Sequence, residues 1–98
     1  MPAAPLLTDD ELADGLTRLP EWRHEGGAIT RTIKLRDFRG AIALVNRVAD
    51  AAEEANHHPD IEIRGYNRVT LTLVTHAVNG LTQRDLDLAA RIDELARD

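Results

Sequence analysis

Apolar residues recur along this chain at two different periods, and the switches between them mark out the elements. Leu12, Leu16 and Leu19 recur at helical spacing behind Thr8, and Glu11, three residues after that threonine, completes a capping-box pattern. The spacing predicts a helix over about Asp9–Arg18, closed by Pro20. Trp22 to Glu25 and Ala28 to Leu35 read as strands on either side of Gly26-Gly27, whose tolerance of positive φ suits a hairpin, with Ile29, Ile33 and Leu35 on one face. Asp37 then stands at an N-cap position before Phe38, Ala41, Ile42, Val45, Val48, Ala49 and Ala52, a stripe at i, i+3, i+4 and i+7. This predicts the main core helix, ending near Ala55 or Asn56, because Pro59 pushes the residue before it out of the α region.

Beyond that proline the period changes to two. Ile61-Glu62-Ile63 alternates as a short strand does, Gly65 interrupts it, and Val69, Leu71 and Leu73 alternate with Thr70, Thr72 and Val74 in a longer strand expected to end at Thr75-His76. Asn79-Gly80 turns the chain, Leu81 is placed to staple, and Thr82-Gln83-Arg84-Asp85 opens a last helix with Leu86, Ala89, Ile92, Leu95 and Ala96 inward. The order α-β-β-α-β-β-α implies an α+β fold: a four-stranded antiparallel sheet with helices packed on one face. No repeat, low-complexity tract or linker interrupts it, so a single domain over residues 1–98 is expected, with residues 1–7 as a loose start.

Composition narrows the function classes. A chain of 98 residues has one modest core, since a domain of this size buries only roughly 60–70% of its unfolded surface, and self-association is one way to cover the rest. The absence of Cys removes disulfides, thiolate metal sites and a Cys nucleophile, and it suits a reducing cytoplasm. Apolar runs fall far short of the ~20 residues that cross a bilayer, so no membrane role is expected. The N-terminus lacks a basic region and meets Asp9-Asp10-Glu11 too soon for a signal peptide. With 17 acidic against 12 basic residues, a net charge of -5 and one each of Phe, Trp and Tyr, the chain lacks the basic stripe and stacking platform of a nucleic-acid binder.

The chemistry-bearing residues gather at element ends, where a scaffold can hold them while substrate reaches them. His57 and His58 follow the core helix and His76 closes the longest strand. Surface histidines are common, and His76 on the Thr70, Thr72, Val74 side also fits a solvated face. Three neutral imidazoles plus water make an open zinc site, but adjacent residues such as His57 and His58 point apart in most backbone conformations, and no i, i+4 His pair exists. Acid/base work asks for less: an imidazole titrates near ~6.5, so at neutral pH one ring can accept a proton and another donate it. Glu53 lies one turn before His57, where it either orients the imidazole or forms, with Glu54, an ordinary solvated face. Asp85 in the first turn of the last helix is equally suited to capping. Arg64 and Arg68 flank Tyr66, as an acidic-ligand site or as a solvated strand edge.

Glu53, three residues, His57-His58-Pro59, six residues, Tyr66, nine residues, His76, eight residues, Asp85: this pattern resembles the signature of the pterin-4a-carbinolamine dehydratases, also called 4a-hydroxytetrahydrobiopterin dehydratases. The similarity extends to Trp22, Asp37-Phe38, Asn67-Arg68-Val69 and Gly80-Leu81-Thr82-Gln83-Arg84-Asp85, hence to most of the chain. The resemblance implies a lyase that removes water from 4a-hydroxytetrahydropterin to give quinonoid dihydropterin, in the recycling that follows aromatic amino-acid hydroxylation. It implies acid/base catalysis by His57 and His76, a grip on the pterin by His58 with a share in proton transfer, and a pocket lined by Asn56 and Thr75. Glu53 and Asp85 would orient the histidines, and neither a metal nor a cofactor beyond the pterin substrate is implied.

This chain departs from the family pattern at four positions. Asn56 replaces a frequent Asp, Ala77 an acidic residue and Val74 a small hydroxyl residue, while Gly65 lengthens the stretch before Tyr66 in the manner of a β-bulge. These touch the pocket wall rather than the histidines. The resemblance further implies a homodimer or homotetramer, built through the Thr70 and Thr72 face or a strand edge, and a hydroxylase pathway partner. Relatives that act as dimerisation cofactors or assembly factors supply the alternative of a non-catalytic scaffold, since a fold does not confer function.

Overall fold

The computed structural model describes residues 4–97. Helix α1 (Asp9–Thr17) starts in the capping box: Thr8 Oγ1 accepts from the Glu11 amide at 3.1 Å and Glu11 Oε1 accepts from the Thr8 amide at 2.8 Å. Strands β1 (Arg23–Glu25) and β2 (Ala28–Lys34) pair across Gly26 and Gly27, whose φ of 59° and 80° only glycine adopts freely. Helix α2 (Phe38–Ala55) is capped by Asp37 Oδ1 on the Gly40 amide. Strands β3 (Asp60–Arg64) and β4 (Arg68–Leu73) follow, then a single 3-10 turn (His76–Val78) and helix α3 (Gln83–Ala96). The four strands form one antiparallel sheet in the order β1-β2-β4-β3.

Alternation along the central strands divides the sheet into two faces. Ile29, Ile33, Val69, Leu71 and Leu73 are buried beneath the helices. The opposite face carries Thr30 against Thr72 and Thr32 against Thr70, each pair joined through its hydroxyls. The core is completed by Leu12 and Leu19 from the first helical segment, Ala41, Leu44 and Val48 from α2, and Leu86, Ala89 and Ile92 from α3. The α+β architecture and the element order are those read from the sequence.

Four local expectations are corrected. The buried stripe of α2 is Ala41, Leu44, Val48, Ala51 and Ala52, whereas Phe38, Ile42 and Ala49 face outward: the helix carries two apolar stripes, and the sheet takes the one containing Leu44. Strand β4 stops at Leu73, two residues early, because Thr75 exchanges backbone hydrogen bonds with Gly80 and draws His76 into the 3-10 turn. Gly65 is no bulge: it lies in the turn between β3 and β4, where it and Tyr66 both have positive φ. In the expected loose start, residues 1–3 lie outside the described residues, but Leu6 bridges Thr82 and the Leu7 amide donates to Leu81 O at 2.9 Å.

Candidate active site

The exit from α2 and the entry to α3 meet around one buried carboxylate. Asn56 ends α2 in the left-handed region at φ 49°, a conformation that Asn tolerates better than most side chains. The chain thereby reverses, the His57 amide donates back to Ala52 O at 3.0 Å, and the His57 ring turns inward until the residue is only 7% exposed. There His57 Nε2 lies 2.6 Å from Oδ1 of Asp85, which is fully buried at the third position of α3.

Asp85 is met by donors on both oxygens. Its Oδ2 accepts the Thr75 hydroxyl at 2.8 Å and the Thr82 amide at 2.9 Å. Thr75 has one hydroxyl proton and gives it to Asp85, so in the 2.8 Å contact between the two threonine hydroxyls Thr82 donates. Thr82 Oγ1 in turn accepts from the Arg84 amide at 3.2 Å. An ionised Asp85 carboxylate can only accept, so the His57 contact is closed by a ring N–H on Nε2, and in the neutral ring this tautomer leaves the lone pair on Nδ1. Among the described residues Nδ1 has no hydrogen-bond partner, and the buried side-chain polar atoms left without one are Arg31 Nε and Arg47 Nε. Nδ1 therefore retains a path to solvent.

The other histidines occupy different settings. His58 is exposed and its Nε2 contacts Glu53 Oε2 at 2.5 Å. This corrects the expectation that Glu53 serves His57: the reversal at Asn56 swings the second histidine back over the last turn of α2 and the first toward α3. His76 is exposed at the start of the 3-10 turn, directly after the buried Thr75 that binds Asp85. Asn56 contributes its backbone conformation, and its carbonyl accepts from an Arg84 guanidinium nitrogen at 2.5 Å. A groove of about 350 Å³ between α2 and α3 is lined by His57 with Ala51, Ala55, Leu88, Glu54, Asp87, Arg84 and Arg91. His58, His76, Asn56 and Thr75 are not on it, so the structure ties His57, Thr75 and Asp85 into one network and sets His58 and His76 at its margins.

Two members of this cluster were not singled out from the sequence. Thr82 was legible as a cap, but not as a donor to Thr75. Arg84 carried no local signal, because its partner carbonyls lie 28 and 29 residues away. Among the described residues no group of three or more His, Cys, Asp or Glu side chains is placed to hold a metal ion, and no helix is long and apolar enough to cross a membrane.

Comparison with known proteins returns a consistent set. The family model described as pterin 4 alpha carbinolamine dehydratase matches residues 5–95. A protein of Nocardia farcinica, whose name provisionally gives it as a pterin-4-alpha-carbinolamine dehydratase, is 56% identical over 94% of this chain and 96% of its own length. One from Thermomicrobium roseum with the same provisional name is 52% identical over 92% of this chain and 96% of its own. A crystal structure of a transcriptional coactivator/pterin dehydratase from Brucella melitensis superposes with a TM-score of 0.88 at 36% identity, covering 94% of this chain and 99% of that one. A pterin dehydratase-like protein identified as a RuBisCO assembly factor in the alpha-carboxysome superposes with a TM-score of 0.66 at 25% identity, over 78% of this chain and 89% of that one.

Proposed function

Because this chain belongs to the pterin 4 alpha carbinolamine dehydratase family, we propose that it dehydrates a 4a-hydroxytetrahydropterin to the quinonoid dihydropterin by histidine acid/base catalysis. The C4a–O bond breaks, the hydroxyl leaves as water after taking a proton, and N5 loses its proton as the C4a–N5 double bond forms. No electron changes hands, and both protons fall within the ordinary range of imidazole chemistry. His57 and His76 are the acid/base pair, and His58 holds the pterin and shares in proton transfer. Asn56 and Thr75 contribute to the pterin pocket, Asp85 orients His57, and Glu53 orients His58. Neither a metal nor a second cofactor is required by this step.

The observation that supports this reading most is the buried contact from His57 Nε2 to Asp85 Oδ1. A carboxylate that fixes one ring nitrogen as the proton carrier leaves the other as a defined lone pair, the state that a general base needs. The experiment is stopped-flow decay of enzymatically generated 4a-hydroxytetrahydropterin with the wild type, His57→Ala and His76→Ala. Acceleration by the wild type that both variants lose is the expected result. A folded wild type that does not accelerate decay refutes the dehydratase reading.

A second reading draws on the carboxysomal relative, whose assembly role belongs to a dehydratase-like fold. A scaffold protein would bind its partner equally well as His57→Ala or His76→Ala. A dehydratase would lose turnover in those variants.

A further inference from the structure

Helix α2 ends on carbonyls that the helix itself cannot satisfy, and the residue that meets them comes from α3. The Arg84 guanidinium donates to Asn56 O at 2.5 Å and reaches Ala55 O at 3.4 Å. Asn56 O belongs to the peptide that leads into His57, and the next residue after Arg84 is Asp85, which holds the His57 ring. Two consecutive side chains of α3 thus hold one residue of the α2 exit from both ends, the backbone through Arg84 and the imidazole through Asp85. A cation at a helix C-terminus also complements its dipole, but the short contact falls on the left-handed Asn56, beyond the last helical residue.

We propose that Arg84 is a positioning residue for His57: it locks the Asn56–His57 peptide so that the ring N–H stays on Asp85 and Nδ1 stays presented. The proposal rests on the dehydratase reading for its kinetic consequence but not for its structural one. Both carbonyls are met by one guanidinium nitrogen, Nη2, whose two N–H groups lie in a fixed plane, a direction that the rotating ammonium of a lysine does not preset. Arg84 also lines the groove beside His57, so its removal leaves space there for a small cation.

The test follows the His57 ring N–H by proton–nitrogen NMR alongside turnover of 4a-hydroxytetrahydropterin, in the wild type, Arg84→Met, Arg84→Lys and Arg84→Ala with and without guanidinium chloride at non-denaturing concentration. In Arg84→Met the ring N–H is expected to exchange faster with solvent and kcat to fall about tenfold, the smaller part of what acid/base groups themselves supply, with KM changed much less. Arg84→Lys restores part of both signals, and guanidinium restores part in Arg84→Ala. A folded Arg84→Met with an unchanged ring N–H and unchanged kcat overturns the proposal. So does a variant that loses thermal stability alone. If Arg84→Met does not fold, the same two readouts on Arg84→Ala without guanidinium decide: wild-type values in both overturn it. Loss of ring N–H protection in a protein whose wild type shows no turnover supports the positioning role and refutes the dehydratase function instead.

Discussion

Asp85 does two jobs that sequence alone presents as alternatives. It accepts the Thr82 amide, completing the α3 capping box, and it accepts from the His57 ring at 2.6 Å. An Asp85→Asn substitution separates them. The amide oxygen still caps α3, but an NH2 facing Nε2 forces that nitrogen to accept, moves the ring proton to Nδ1 and removes the lone pair. Turnover of 4a-hydroxytetrahydropterin is expected to fall by about 10²–10⁴-fold, the whole range that a general acid or base supplies, in a protein that remains folded by circular dichroism. Full activity of Asp85→Asn would exclude His57 Nδ1 as a proton acceptor. Thr75→Val tests the same cluster through stability. It leaves the Thr82 hydroxyl without an acceptor and removes one donor from a fully buried carboxylate. A loss of about 1–3 kcal/mol is expected for such unsatisfied buried groups, read from the urea midpoint at unchanged slope.

At the scale of the elements, the ends matter more than the middles. Asn56 holds α2's exit at φ 49°, where a side chain other than Gly, Asn or Asp costs about 1–2 kcal/mol. Asn56→Ala should therefore lower stability by about that amount while Asn56→Gly changes it little, as denaturant melts of the two variants would show. That exit was legible in the chain because Asn56 and Pro59 are local signals, as were the caps at Thr8, Asp37 and Thr82 and the alternation of Val69, Leu71 and Leu73. The partner of Glu53 was not legible. Spacing along a helix pairs it with His57, but the left-handed reversal at Asn56 delivers His58 instead. The 3-10 turn carrying His76 was hidden for a similar reason, since three residues form no period and the Thr75–Gly80 bridge that makes the turn lies outside any repeating pattern. The stripe read along α2 was part right: Ala41, Val48 and Ala52 are buried, but Phe38, Ile42 and Ala49 face outward and Leu44 and Ala51 take their place, because periodicity shows that a stripe exists and only packing shows where its edges fall.

The uncovered stripe bears on the whole molecule. Phe38, Ile42, Val45 and Ala49 follow one another at steps of four, three and four, the spacing at which two helices share a seam, with Val45 half-buried against the core and the other three exposed. Phe38 is 53% exposed and Ile42 38% exposed, and a groove of about 470 Å³ opens among Phe38, Arg39, Ile42, Ala43 and Asn46. The Thr70 and Thr72 face presents hydroxyls instead, and these already pair with Thr32 and Thr30. In a two-fold dimer the same patch meets itself, so a second copy of α2 is the partner expected to cover this stripe. The protein is therefore expected to sediment as a multiple of 10.9 kDa. Phe38→Asp and Ile42→Asp should reduce that mass toward the monomer while leaving the far-ultraviolet circular dichroism unchanged, because neither side chain belongs to the core. A wild type that sediments as a monomer at micromolar concentration would refute the seam. A multimer that both aspartates leave intact would move the interface to a sheet edge, where β3 presents its unpaired side with Ile61 36% exposed. The two aspartate variants also separate assembly from chemistry, since neither touches His57, Asp85 or Thr75. If turnover survives in the dissociated protein, each chain carries a complete site. If turnover falls together with the mass, assembly is needed to hold the α2 exit, and with it His57, in its working position.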